Sequence, residues 1–211
     1  MSVVLAEAGG VVPELAAAIN ANRAWLSEID GAIGDGDHGI NMSKGFSQAA
    51  AALGDAAGLA PAFTTLGDTL LSGIGGSMGP LYGTFFLDMA AALGDAATLD
   101  AALFSRMLRA GLAGVIDLGG AQVGDKTLLD TLVPAADAFD AAVAAGAGFG
   151  AALDAMSAAA EQGRDATVDL VAKIGRSARL GERSRGALDA GAASCCLILQ
   201  TLANGLTARG A

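Results

Sequence analysis

Apolar residues recur along the chain at helical spacing, in stretches separated by short breaks marked by glycine. Between residues 61 and 74, for example, Phe63, Leu66 and Leu70 fall three or four positions apart and share one face of a helix. The same spacing predicts helices at residues 13–27, 39–53, 61–74, 77–93, 98–118, 125–136, 149–161, 166–173 and 189–206. Alternating strand patterns are nearly absent, so the chain is predicted to be all-α.

The composition, 53% hydrophobic but only 4% aromatic, indicates a core built from alanine and branched aliphatic residues. Alanine has the highest intrinsic helix propensity, and its small side chain lets helices pack closely. No stretch rich in proline, serine or charge divides the chain, so residues 1–211 are predicted to form a single domain. About eight helices with brief links favour an antiparallel bundle or a closed helical barrel.

The charge and the cysteine content restrict the partners and the compartment. A net charge of −10 and a pI near 4.3 disfavour nucleic acid and anionic membrane surfaces as partners. Residues 190–206 carry no charge, but the stretch is shorter than a membrane span and contains polar residues, which predicts a buried helix. The adjacent Cys195 and Cys196 lie in it and are typical of small core residues in a reducing, cytoplasmic compartment.

Residues 30–39 contain three aspartates, the only histidine of the chain and four glycines. Asp35 and Asp37 flank Gly36, so a tight turn could aim both carboxylates at one point, where Asp30 could join them from the preceding helix. Carboxylate oxygens suit Mg²⁺, and three carboxylates repel one another unless a cation lies between them. The stretch is interpreted as a magnesium site or, alternatively, as a polar turn that caps the next helix.

Two glycine-rich stretches precede helices further along the chain. In residues 73–83 the glycines would let the backbone approach a phosphate at a helix N-terminus, where Ser77 adds a hydroxyl donor. Close helix packing through glycine explains the same pattern, and no Walker A lysine follows. The second stretch is residues 118–130, in which Asp125 is predicted to be the N-cap of the next helix.

Arginines concentrate in one late stretch of this acidic chain, residues 175–194. Four of the twelve basic residues lie there: Arg176, Arg179, Arg183 and Arg185. A cationic cluster in an acidic protein indicates an anionic ligand such as phosphate, and the alternative is a solvated loop held by salt bridges. A carboxylate trio, two glycine-rich helix entries and an arginine loop together make up the parts of a site for magnesium and a nucleotide.

The same four stretches resemble the nucleotide-binding L subunit of dihydroxyacetone kinases, over almost the whole chain. The segments IGDGDHGINMSKGF, GGSMGPLYGTFF, GDKTLLDTL and GRSARLGERSRGALDAGAAS match blocks of that family in order and spacing. The resemblance implies an eight-helix antiparallel barrel with the nucleotide at one end, and two Mg²⁺ ions held by Asp30, Asp35 and Asp37. It implies nucleotide or phosphate contacts at His38, Gly39, Ile40, Asn41, Ser43, Ser77, Met78, Gly120, Leu129, Arg179, Asp189 and Gly191. Arg179 is also expected to stabilise the transferring phosphoryl group.

The resemblance implies that the chain carries ADP or ATP and passes a phosphoryl group to dihydroxyacetone held by a separate K subunit. A phosphohistidine-bearing subunit of the phosphotransferase system would then rephosphorylate the ADP. The chain departs from the family at Ala187, Leu188 and Ala190, where a His-Pro or His-Gln pair and a proline are usual, which bears on contacts with the K subunit. Alternatives are an ATP-exchanging kinase subunit for another small ketose or polyol, and a nucleotide-bound protein that contacts a transcriptional regulator. A homodimer is a further expectation.

Overall fold

The apolar periodicity is realised as nine α-helices and two very short strands in residues 1–54 and 58–210, the part of the chain that the computed structural model describes. Their order is β1 (Val3–Val4), α1 (Val11–Ala21), α2 (Arg23–Ile33), α3 (His38–Ala52), α4 (Leu59–Gly73), α5 (Met78–Leu93), β2 (Thr98–Leu99), α6 (Ala101–Gly119), α7 (Leu129–Ala144), α8 (Phe149–Ala166) and α9 (Ala190–Arg209). Short 3-10 segments cover Leu5–Glu7, Thr167–Asp169 and Ser177–Ser184. The all-α prediction is confirmed.

Eight of these helices pack in a closed ring. Each contacts the next in the order α1, α3, α4, α5, α6, α7, α8, α9, and α9 returns to α1. The remaining helix, α2, packs against α3 and α9. Most successive ring helices are joined by short links, which favour packing against the next helix, whereas residues 167–189 form a long link between α8 and α9.

The core of the ring contains two groups of aromatic side chains. Phe63 and Phe86 have ring centroids 5.3 Å apart, and the centroid of Phe46 lies 6.0 Å from that of Phe86. Phe104 and Phe139 have centroids 4.6 Å apart in the second group. Alanine, leucine and methionine connect the two groups into one hydrophobic cluster that extends from β1 to α9. The few large rings fill space that alanine side chains leave between closely packed helices.

The helix predicted at residues 13–27 is in fact two helices that meet at Asn22. The side-chain Nδ2 of Asn22 donates to Ala18 O at 2.9 Å, which uses a carbonyl of the last turn of α1 and ends that helix. A second prediction was also wrong. Residues 166–173 do not form a helix beyond the 3-10 segment Thr167–Asp169, because the chain there turns away to bond the α6–α7 link, where Lys173 N donates to Asp125 O at 3.1 Å.

The two strands were not predicted, because each is only two residues long. Val3 pairs with Leu99 and Val4 with Thr98 in an antiparallel ladder. Such a short ladder has no alternating pattern that a sequence could display. It attaches the start of the chain to the link between α5 and α6.

Helix α9 has the length and composition of a membrane-spanning helix, yet 67% of its most apolar window is buried inside the protein. Cys195 and Cys196 are both buried in it. The prediction of a buried helix at residues 190–206 is therefore confirmed, and α9 serves as a ring helix that contacts α1, α7 and α8.

Asp100 caps the start of α6. Its Oδ1 accepts a hydrogen bond from Leu103 N at 2.8 Å. Asp100→Ala is expected to lower the free energy of unfolding by about 1 kcal/mol, whereas Asp100→Asn keeps an acceptor and should stay near wild type. Urea denaturation measures both variants. Equal losses in the two would contradict the capping role.

Candidate functional site

The three aspartates predicted to bind metal meet at one point between α2 and α3. Asp30 lies near the end of α2, while Asp35 and Asp37 lie in the link that leads to α3. Gly36 between them has φ +77°, a left-handed conformation that glycine adopts without steric cost. One ligand oxygen from each carboxylate lies within 4.8 Å of the others. Oxygens so close together repel unless a cation joins them, and a hard divalent ion such as Mg²⁺ fits this donor set.

The aspartates border a cavity of about 520 Å³ that several separate stretches of the chain enclose. The predicted site residues that line it are Asp30, Asp35, Asp37, His38, Ser77, Met78, Leu129, Asp189 and Gly191. They come from the end of α2, from the α2–α3 link and from the starts of α3, α5, α7 and α9. The fold thus brings together stretches that lie far apart in sequence, while the contact of each residue with a nucleotide stays a prediction.

The other predicted contacts lie outside the lining of this cavity: Gly39, Ile40, Asn41, Ser43, Gly120 and Arg179. Gly39 packs α3 against α2, since a Cβ there would lie 2.0 Å from a carbonyl oxygen of α2. Ile40 is 48% exposed, and Ser43 donates a hydrogen bond to Asn20 Oδ1 at 2.6 Å. Gly120 ends α6 with φ +61°, between two residues that do line the cavity. The roles of these residues in nucleotide binding stay predictions.

The glycines of residues 73–83 differ in their surroundings, and only the packing role is seen in the structure, while phosphate binding stays a prediction. A Cβ at Gly76, which lines the cavity, would meet no atom of the described residues within 4 Å. A Cβ at Gly83 would lie 3.0 Å from Gly67 O, so this glycine lets α5 pack closely on α4. Ser77 makes no capping hydrogen bond to α5 through its side chain. Its hydroxyl and the first N–H groups of α5 are therefore available to an anion.

One arginine of the late cluster reaches the aspartates, and it is Arg176. Its Nη1 contacts Asp35 Oδ2, and the side chain lines the cavity beside Gly175. Arg179, which was expected to stabilise the phosphoryl group, is exposed and lies outside the lining. A guanidinium offers planar, forked N–H donors that match phosphate oxygens. The structure therefore brings Arg176 to the aspartates, while the role of Arg179 at the phosphoryl group stays a prediction.

A buried lysine, which sequence analysis did not single out, ties the arginine loop to the α6–α7 link. Lys126 is 1% exposed, and its Nζ donates to the carbonyl oxygens of Leu170 (3.2 Å), Ser184 (2.7 Å) and Ala187 (2.7 Å). Burial lowers the pKa of Lys126 below the ordinary lysine value. Its φ of 62° is uncommon for a residue with a side chain. A charged residue in a glycine-rich loop was the only sequence signal for this contact.

Asp125 does not cap α7, contrary to the prediction, because α7 begins four residues later, at Leu129. Asp125 and Asp130 instead accept hydrogen bonds from backbone N–H groups of the preceding turn, at 2.9 and 2.7 Å. Asp125 also pairs with Lys173 Nζ at 3.1 Å. These contacts close the turn that carries Lys126, and the turn takes the place of the first helical residues.

Asp189 caps α9, in agreement with its predicted place at the start of that helix. Its Oδ2 accepts a hydrogen bond from Ala192 N at 2.8 Å, and the carboxyl lines the cavity. Burial raises the pKa of Asp189 to about 7, with the carboxylates of Asp130 and Asp30 adding to the rise and the ammonium of Lys126 opposing it. The cavity therefore holds a carboxyl group that titrates near neutral pH.

The pKa of Asp189 predicts a pH dependence of stability. Between about pH 4 and pH 7 the folded protein keeps a proton on this carboxyl that the unfolded chain has lost, so its stabilising effect falls as the pH rises through that window. Asp189→Asn keeps the cap but cannot titrate. The difference in unfolding free energy between wild type and Asp189→Asn, measured by urea titration across this range, should decline with pH. A difference that is constant with pH would contradict the assignment.

His38 is held by two side chains that sequence analysis missed. Its ring is 6% exposed, and its Nε2 lies 2.9 Å from Ser194 Oγ, which in turn lies 2.7 Å from Tyr82 Oη. Burial lowers the pKa of His38 to about 4, so the ring is neutral at neutral pH. The sequence signal was slight: Tyr82 is the only tyrosine of the chain.

Residues 32–204 match the family described as the DAK2 domain, which is well over half of the chain. The chain belongs to the DAK2 domain family. A DAK2 relative in Listeria innocua, the ADP-binding subunit DhaL of PEP-dependent dihydroxyacetone kinase 1, is 39% identical over 186 residues, 87% of this chain and 88% of that protein. A D-erythrulose kinase of Mycolicibacterium smegmatis is 38% identical over 86% of this chain, which spans 32% of that protein. The resemblance noted in the sequence is thereby confirmed.

A solved DAK2-containing structure shares the fold. The dihydroxyacetone kinase of C. freundii, in complex with AMP-PNP and Mg²⁺, superimposes with a TM-score of 0.69 at 26% identity, over 93% of this chain. The chain spans about a third, 33%, of that larger protein. The closed ring of α1 and α3 to α9 agrees with this similarity, so the predicted helical barrel is confirmed for the DAK2 domain.

Proposed function

We propose that this chain is the ADP/ATP- and Mg²⁺-binding subunit of a dihydroxyacetone kinase. The observation that carries the proposal is that three clustered carboxylates line one cavity together with the start of α5 and Arg176. Metal ligands beside a helix N-terminus and a guanidinium suit a nucleotide whose phosphates are bridged by Mg²⁺. The named activities of the relatives support the same function.

The proposed chemistry is phosphoryl transfer between the bound nucleotide and an acceptor held by another subunit. Bound Mg²⁺ would neutralise charge on the nucleotide phosphates. Asp30, Asp35 and Asp37 would hold two such ions, while Ser77 and the first N–H groups of α5 would bind phosphate oxygens. Apolar lining residues, among them Leu129, would cover the adenine. The base that activates the acceptor hydroxyl need not come from this chain.

The partners we propose are a K subunit that holds dihydroxyacetone and a phosphohistidine-bearing subunit of the phosphotransferase system that restores ATP from ADP. We place the chain in the cytoplasm and propose that residues 1–211 act as one domain, which the continuous hydrophobic cluster from β1 to α9 supports. A homodimer and a complex with a transcriptional regulator are further proposals. The net charge of −10 argues against binding to nucleic acid or to anionic membranes.

A second candidate acceptor is another small ketose. The D-erythrulose kinase relative is 38% identical to this chain, almost the same as the 39% of the dihydroxyacetone kinase subunit. A nucleotide subunit that does not hold the acceptor can serve either sugar, so the K subunit would determine which ketose is phosphorylated. Phosphorylation assays with the purified K subunit and each ketose in turn distinguish the two.

The ligands released on denaturation test the proposed function. We expect purified protein to release ADP together with Mg²⁺, or, if isolated empty, to bind Mg–ADP in a calorimetric titration. Protein that does neither would refute the nucleotide function. Binding without phosphoryl transfer, when the K subunit and a phosphohistidine donor are both supplied, would favour the regulatory alternative.

Arg176 and Arg179 form a matched pair for testing which arginine meets the phosphates. Arg176→Ala is expected to weaken Mg–ADP binding about 10- to 100-fold, the range for hydrogen bonds to a charged partner. Arg179→Ala should change it less than about twofold, because its side chain lies outside the cavity lining, although both arginines are exposed. Titration calorimetry of both variants gives the ratio of their dissociation constants for Mg–ADP. The opposite order would restore Arg179 as the phosphate-binding residue.

A further inference from the structure

Three buried side chains from three different helices meet beside the cavity. His38 is the first residue of α3, Tyr82 lies one turn into α5, and Ser194 lies one turn into α9. Their exposed fractions are 6%, 2% and 0%. Hydrogen bonds of Ser194 to His38 and to Tyr82 join the N-terminal turns of α3, α5 and α9. These turns border the cavity at the aspartates, the glycine-rich stretch and Asp189, respectively. Burying polar groups costs free energy unless their donors and acceptors make hydrogen bonds. A buried network of this kind therefore restricts the side-chain conformations of its members.

Ser194 Oγ has one proton and three polar neighbours: Tyr82 Oη at 2.7 Å, His38 Nε2 at 2.9 Å and Gly191 O at 3.1 Å. Either hydroxyl of the Tyr82–Ser194 pair can be the donor, and Tyr82 Oη also lies 3.0 Å from Gly191 O. When Tyr82 donates to the serine, the nearest acceptor for the serine proton is His38 Nε2. Hydrogen bonds that run in one direction strengthen one another.

The lining of the cavity favours one of the two neutral tautomers of His38. When Nε2 accepts from Ser194, the proton of the neutral imidazole lies on Nδ1. Nδ1 has no hydrogen-bond partner among the described residues, and the ring lines the cavity, so this N–H is open to a ligand. The aspartates of the cavity and the oxygens of a phosphate are all acceptors, which favours a donor at this position over a lone pair.

We propose that Tyr82 and Ser194 are positioning residues that hold His38 as its Nδ1–H tautomer, with that N–H directed at a phosphate oxygen of the nucleotide. The identity of the acceptor rests on the proposed function. The tautomer does not, because it is a property of the protein without ligand. Tyr82 and Ser194 act through His38, and the network also fixes the angle of the ring against α5 and α9.

Nitrogen NMR tests the tautomer directly. His38 is the only histidine of the chain, so labelling with ¹⁵N-histidine gives the two ring nitrogens of a single residue. In the ligand-free protein we expect a proton-bearing Nδ1 and a lone-pair Nε2, and exchange between tautomers in Tyr82→Phe and Ser194→Ala. Ser157→Ala, which removes a hydroxyl that donates to Leu153 O on α8, should leave both signals unchanged. A protonated Nε2 in the ligand-free wild type would overturn the proposal and leave the nucleotide function intact.

A double-mutant cycle on Mg–ADP affinity tests the positioning role. Tyr82→Phe keeps the buried ring and should weaken binding about fivefold, the value of one neutral hydrogen bond. In a His38→Ala background the same change should have no further effect, because the group that Tyr82 positions is gone. Equal losses in both backgrounds would show that Tyr82 acts on packing alone and would overturn the role. Wild-type protein that binds no Mg–ADP would refute the proposed function, while the NMR signals would still decide the tautomer.

Discussion

Asp35→Ala is expected to weaken Mg–ADP binding by more than about 100-fold, beyond the 10- to 100-fold that outer partners of a metal ligand contribute. The carboxylate is one of three whose oxygens lie within 4.8 Å of one another, so its loss removes a ligand and a third of the negative charge that attracts the ion. The stability of the metal-free protein should not fall. Asp35 lies in a link and is exposed, so losing its exposed ion pair with Arg176 costs little free energy, and its removal relieves repulsion with Asp30 and Asp37.

Two measurements separate the metal-binding role of Asp35 from a structural one. Titration calorimetry with Mg–ADP gives the affinity, and thermal unfolding of metal-free protein gives the stability, which should be no lower than that of wild type. Asp154→Ala is the matched control, because Asp154 is an exposed aspartate on α8, away from the cavity lining. Normal nucleotide affinity in Asp35→Ala would refute the metal site. A loss of both affinity and stability would indicate a capping turn instead.

Lys126→Met is expected to lower the free energy of unfolding by about 3 kcal/mol, although methionine nearly fills the same space. The ammonium satisfies three carbonyl oxygens, and the side chain is 1% exposed, so methionine would leave those carbonyls without a donor in a largely buried site. The same change frees the segment between α8 and α9 that carries Arg176. We therefore expect weaker nucleotide binding and faster amide hydrogen exchange at residues 170–187.

Lys173→Met is the control for Lys126→Met. Its ammonium is 58% exposed and makes one ion pair, with Asp125, so the expected loss is below about 1 kcal/mol. Denaturation in urea measures both variants, and hydrogen exchange locates the loosened segment. If the two substitutions cost the same, the three carbonyl contacts of Lys126 do not hold the loop.

The helices and the clustering of the three aspartates were predictable because their signals are local. The periodicity that places Phe63, Leu66 and Leu70 on one face of α4 extends over only a few turns, and the caps Asp100 and Asp189 bond N–H groups three residues away. The closeness of Asp30 to Asp35 likewise follows from one short link. Predictions failed where a distant contact replaced a local one, as at Asp125, which pairs with Lys173 and closes a turn in place of capping α7.

The sequence by itself determined the all-α class, most helix bounds and the residue types of the proposed magnesium–nucleotide site. Only the tertiary structure decided which members of those types meet. It brings Arg176 and not Arg179 to Asp35, encloses Lys126 among carbonyls of the arginine loop, and joins His38 to Ser194 across 156 positions of the chain. The physical reason is the distance along the chain over which each interaction acts. Helix periodicity and capping are set by neighbours within a turn, whereas the partner of a long or buried polar side chain depends on how the helix ring closes.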